Sequence, residues 1–125
     1  MFLEPLPADC PPLEAAESDK WLYRIIKGDQ IQETDFWSFN KLNSQRQEYK
    51  ELCKAWGLSL FEAKDSAIEI IKRKPDVGIS VVEIFVTKSL GKLQLTNPKS
   101  THHTLWLYDT FSLDQLQYRN IEKVQ

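Results

Sequence analysis

Three groups of residues in this 125-residue chain combine types and spacing that chemistry could use. Tyr23-Arg24 sits in an apolar run, residues 22–26. An arginine among aliphatic neighbours needs an anionic partner or a route to solvent, because an unpaired buried guanidinium is costly. It can clamp a phosphate or carboxylate with two donors, or pair internally with an acid such as Asp35 or Glu83. The second group, Thr34-Asp35-Phe36-Trp37-Ser38-Phe39, can stack a planar ring and hydrogen-bond its edge; it also reads as a strand whose aromatics fill the core. Ser38 has no general base beside it in sequence, so nothing supports a nucleophilic role there. The third group is Ser100-Thr101-His102-His103-Thr104. Adjacent histidines on a strand point to opposite faces and cannot easily grip one metal. With neither C-x-x-C nor H-E-x-x-H present, no metal is expected. His102 or His103 can still face a cleft as a proton donor or phosphate ligand, or pack against Trp106 at a solvated strand start.

The elements that must position these groups follow from periodicity. Residues 21–26 read as a first strand, with Trp21, Tyr23 and Ile25 on one face and Leu22, Arg24 and Ile26 on the other. Residues 36–39 form a second short extended piece. A helix is expected over 44–56: Ser44 and Gln47 have capping-box spacing, and Tyr49, Leu52, Cys53 and Trp56 recur on one face. Gly57 follows as a left-handed stop. Residues 58–61 read as a strand. The next helix starts at a second capping box, Ser66 with Glu69, buries Ala67, Ile70 and Ile71, and ends at Pro75. Residues 81–87 are the clearest strand, with Val82, Ile84 and Val86 on one face. Strands at 92–96, with Leu93 and Leu95 facing in, at 101–108 and at 118–124 complete the order.

Four of the six prolines fall in residues 1–20, which read as an extended lead-in packed on the domain surface, with one helical turn over 13–17. Residues 21–125 then form a single domain, the usual outcome at this length. The pattern predicts α+β: a mostly antiparallel sheet, whole or split in two, with two main helices. The net charge of −2 excludes broad nucleic-acid binding, which needs a basic patch. The run Lys72-Arg73-Lys74 is explained by a helix C-terminus. Cys10 and Cys53 form no C-x-x-C pair; Cys53 on the helix stripe reads as a small hydrophobe, and a disulfide has no sequence support. Without a signal-peptide pattern or ~20 apolar residues in a row, a cytoplasmic location with no membrane contact is expected.

In order, these residues resemble a minimal, divergent ADP-ribosyltransferase-like fold, the superfamily of RNA 2′-phosphotransferases and RES-domain toxins. Leu22-Tyr23-Arg24-Ile25 is similar to the family's first strand, whose Arg or His holds NAD. Gly57-Leu58-Ser59-Leu60-Phe61, the helix from Ser66 and the strand after it are similar to its strand–helix–strand segment, with Ser59 and Ala67 at matching positions. The resemblance covers residues 21–108. It implies NAD as cofactor, a site containing Tyr23 and Arg24 for pyrophosphate or ribose, Ser38 and Ser59 for supporting hydrogen bonds, and His102 and His103 at the cleft edge. The family's late catalytic Glu or Gln has no counterpart: Glu83 is in the wrong strand, and Glu122 stands near the chain end without a supporting motif. Two functions follow. One is binding or acting on NAD or a phosphorylated nucleotide, through an ADP-ribosyl transfer or in a degenerate relative. The other is a non-catalytic protein–protein interaction module, an adaptor, immunity or antitoxin-like protein. Its motivation is an excess of aromatics: Trp21, Phe36, Trp37, Phe39, Trp106 and Tyr108.

Overall fold

In the computed structural model, which describes residues 1–124, the alternation of residues 20–26 produces strand β1 (Lys20–Ile26) with the two expected faces. It is joined by β2 (Leu58–Phe61), β3 (Ser80–Val86), β4 (Gly91–Asn97), β5 (His102–Leu107) and β6 (Tyr118–Lys123). These form one antiparallel sheet in the order β4-β5-β2-β1-β3-β6. The two helices are α1 (Phe39–Leu42) and α2 (Lys64–Arg73).

One sheet face carries the larger core. Leu22, Ile26, Leu58, Leu60, Val82, Ile84, Val86, Leu93, Leu105 and Leu107 meet there, covered by Phe36 and Leu116. On the other face, Ala67 and Ile71 of α2 pack on Phe61 and Val81, with Tyr23 and Ile25 alongside. The first 19 residues run along the surface, as their prolines require. Phe2 bridges to Tyr108 and Ala16 to Leu93, so the segment is tied to β4 and to the chain just after β5. The helical turn expected over 13–17 is absent, because Ala16 commits its main chain to Leu93 in both directions.

The structure corrects several local expectations. Residues 44–56 do not form a helix; they make two single 3₁₀ turns, Gln47–Tyr49 and Cys53–Trp56. Their apolar stripe is held by the sheet instead: Trp106 Nε1 donates to Cys53 O at 3.0 Å, and Cys53 is bonded to Cys10 in a disulfide. Cys53 is therefore not a free apolar thiol. Gly57 is not left-handed, at φ −110°. It is required by close approach, since a Cβ there would meet Thr104 Cγ2 at 2.4 Å. Residues 36–39 are not a strand but the end of a 3₁₀ turn, Glu33–Phe36, and the start of α1. Helix α2 begins at Lys64, two residues before the expected Ser66 cap, and Ser66 Oγ instead accepts from Thr101 Oγ1 at 3.4 Å. It stops at Arg73, ahead of Pro75 as expected. Leu93 is buried but Leu95 is 47% exposed, at a bulge that shifts the β4–β5 register between Leu95 and Asn97.

Candidate functional site

β1 and β2 are central neighbours, yet they register at a single pair, Tyr23 with Phe61. Beyond it the strands part, and Arg24 occupies the gap. Its Nη1 donates to Ser59 O at 2.7 Å. Its Nε and Nη2 donate to Asp35 O at 3.1 and 2.6 Å, and the guanidinium lies 5.9 Å from the Phe36 ring centre. Arg24 thus supplies to Ser59 a donor that a continued ladder would have taken from main chain. The Asp35 carboxylate is turned to its own loop, accepting from Lys27 N at 3.0 Å and Gln32 N at 2.8 Å. Among the described residues no carboxylate oxygen comes within 4.0 Å of the Arg24 guanidinium. Burial pulls its pKa down to about 10, with Asp35 opposing that shift, so it remains charged at neutral pH.

The parting of β1 and β2 opens into a cleft of about 1110 Å³. Its lining includes the polar residues Arg24, Ser59, His102 and Gln94, the aromatic residues Trp37, Phe39 and Tyr49, and Ile70 and Val77. Lys27 and Lys54 also line it with one acid, Asp76, and Lys27 Nζ donates to Asp76 O.

Ser59 and His102 meet because β2 and β5 pair Ser59 with Thr104 and Phe61 with His102, placing all four on the α2 face. His102 Nε2 lies 2.9 Å from Ser59 Oγ, and its Nδ1 lies 2.6 Å from Thr96 Oγ1. Thr96 is the extra residue of the β4 bulge, the kind of irregularity that re-aims a side chain. The His102 ring also meets Phe61 edge-on, with centroids 5.4 Å apart. Burial, then the positive charges of Lys54, His103 and Arg24, hold the His102 pKa below its ordinary value.

The expected residues divide. Arg24, Ser59 and His102 come together at one cleft. His103 points to the opposite face, buried, with Nδ1 2.9 Å from Thr101 O. Ser38 is buried as the N-cap of α1, where its Oγ accepts from Lys41 N at 3.1 Å and donates to Glu4 Oε1 at 2.9 Å. Tyr23 faces α2 beside Glu83. Neither internal acid pairs with Arg24 through its carboxylate: Glu83 binds Arg119 Nε at 2.8 Å, and that guanidinium stacks 3.8 Å from the centre of the Trp21 ring. Sequence reasoning missed Thr96, whose role depends on a bulge that no local pattern announces. Among the described residues no group of three His, Cys, Asp or Glu gathers as metal ligands, and no helix is long and apolar enough to cross a membrane. No protein-family model, curated protein or solved structure matches this chain.

Proposed function

We propose that the cleft binds NAD or a phosphorylated nucleotide, as in a divergent relative of the ADP-ribosyltransferase-like superfamily. The observation that carries this reading is Arg24: a charged guanidinium lining the cleft, hydrogen-bonded among the described residues only to main-chain carbonyls and paired there with no carboxylate. A phosphate or pyrophosphate supplies the missing anion, assisted by Lys27 and Lys54 of the lining. Trp37, Phe39 and Tyr49 add aromatic surface to the lining, with Lys41 over Trp37 at 4.3 Å and Phe39 and Tyr49 paired at 5.3 Å. At about 1110 Å³ the cleft exceeds the ~300–1000 Å³ usual for small-molecule sites and has room for a dinucleotide. Glu83 and Glu122 do not line it; Glu83 is tied to Arg119 and Glu122 to Lys64. The proposed role is therefore binding, with no carboxylate assigned to stabilise an oxocarbenium-like centre. The test is calorimetric titration of the full chain with NAD, ADP-ribose and AMP, with nicotinamide release followed in parallel. Micromolar to low-millimolar affinity for at least one is expected; no heat for any of the three overturns the reading.

A second reading, a protein-interaction module, is favoured by the cleft rim, where Phe39, Leu42 and Leu52 are 57%, 50% and 53% exposed. The other aromatics named for it do not contribute equally, since Phe36 and Trp106 are fully in the core. Sedimentation of the chain across a hundredfold concentration range tests self-association through this rim, with Phe39→Ser and Leu52→Ser expected to abolish it. A strict monomer at every concentration removes the self-association form of this reading.

A further inference from the structure

Ser59 is exposed on β2, and its hydroxyl stands at one end of a chain of hydrogen bonds that runs back into the sheet. Thr96 Oγ1 donates to the main-chain oxygen of His102 at 3.2 Å, lies 2.6 Å from His102 Nδ1, and lies 3.0 Å from Thr104 Oγ1. A threonine hydroxyl carries one hydrogen, and a carbonyl oxygen can only accept. The network is satisfied when the Thr96 hydrogen goes to His102 O and Thr96 Oγ1 accepts from Thr104 and from Nδ1–H, and this tautomer is assigned on that network. In that tautomer Nε2 is the bare nitrogen, 2.9 Å from the Ser59 hydroxyl. A serine with an imidazole poised to take its proton, and a third group fixing the tautomer, is the arrangement that activates an oxygen nucleophile.

We propose that Ser59 is the nucleophile of an acyl-transfer site, with His102 as its general base, Thr96 as the positioning residue and an activated carboxylic ester as the substrate class. Ser59 Oγ bonds to the ester carbonyl carbon as its proton passes to His102 Nε2. The C–O bond to the leaving alcohol breaks, and the alcohol departs with that proton. Water, deprotonated by the same Nε2, then attacks the acyl-serine; acid is released and the serine restored. Arg24, bonded to Ser59 O, adds a positive charge to the lining of the same cleft. The orienting group is a threonine and not a carboxylate, so the imidazolium gains less support than in a Ser-His-Asp site. That favours aryl or similarly activated esters, whose leaving groups need least protonation. Burial, then Lys54, His103 and Arg24, lower the His102 pKa from its ordinary value, which favours the neutral base.

The test uses the purified full chain with an aryl fluorophosphonate, which reports an activated serine by covalent capture with loss of fluoride. Peptide mapping is expected to find the adduct on Ser59 and not on the exposed Ser44. The labelling rate should rise with pH to a plateau whose midpoint lies below 6.5, the ordinary histidine value. His102→Gln should slow labelling at least about 100-fold. Thr96→Val should slow it less and displace the pH midpoint, which a merely structural threonine would not do. No adduct on Ser59, equal adduct on Ser44, or a rate flat between pH 5 and 8 overturns the proposal, and the last needs no variant. The inference stands apart from the nucleotide reading: nucleotide binding without labelling removes only this proposal, and labelling without nucleotide binding removes only the other.

Discussion

Arg24 shows how one side chain can serve both fold and site. Its alternation with Leu22 and Ile26 directs it toward the apolar core, where a guanidinium must find partners. It finds three carbonyl contacts, two to Asp35 O and one to Ser59 O, and these bind the loop before α1 to β2 across the gap. Removing the donors while leaving the carbonyls in place exposes the cost of unsatisfied polar groups, about 1–3 kcal/mol each. Arg24→Met is therefore expected to lower unfolding stability by at least about 2 kcal/mol in urea titration. Arg24→Lys, which keeps the charge but loses the fork, should recover only part of it. A melting curve for Arg24→Met unchanged from the parent would show that the three contacts contribute nothing. The residue types at this site could be read in the chain, since arginine, serine and histidine were all candidates. Which histidine and which serine could not, because strand alternation separates His102 from His103 but does not say which face bears the cleft.

The elements themselves divide into those dictated locally and those imposed by neighbours. All six strands fall within a residue or two of where β-branched and aromatic alternation puts them, because period-two patterning and sheet burial are the same constraint. The segment 44–56 fails the same kind of reading. Its i, i+3, i+4 spacing suits a helix, but Trp106 claims the Cys53 carbonyl, and Cys10 claims its sulfur. Tertiary bonds therefore outweigh a helical preference worth only tenths of a kcal/mol per residue. Gly57 ends this segment where the backbone presses on β5. Gly57→Ala would set a Cβ 2.4 Å from Thr104 Cγ2 and 3.2 Å from Trp106 Nε1. The expected outcome is a loss of about 1–3 kcal/mol, as for other overpacked sites, read from thermal unfolding. The shift should also carry to His102, since Thr104 supports Thr96; an alanine variant as stable as the parent would show the contact yields freely.

At the scale of the whole molecule, the Cys10–Cys53 bond fastens the proline-rich lead-in to the 3₁₀ segment beside the cleft, across a sequence separation of 43. Loop-closure entropy for a ring of that size gives about 4 kcal/mol as an upper figure. Reduction with a strong thiol, or Cys10→Ser with Cys53→Ser, is expected to lower the denaturation midpoint markedly and to loosen residues 37–56 in hydrogen exchange ahead of the sheet. Equal stability with and without reductant would contradict this. Disulfides are rare in reducing compartments. Alkylation of the thiols in cells before lysis therefore tests the cytoplasmic expectation as well: two free thiols support it, and a protected pair removes it. By itself the sequence determined the strand positions, the α+β class, the helix before Pro75, and a short set of residues able to do chemistry, because each rests on local alternation, the proline stop or side-chain type. Only the tertiary structure decided that β1 and β2 part after one pair, that a bulge turns Thr96 onto His102, and that Cys10 reaches Cys53. Those outcomes depend on contacts between residues 35 and more positions apart or on a register slip between strands, and neither leaves a periodic trace along the chain.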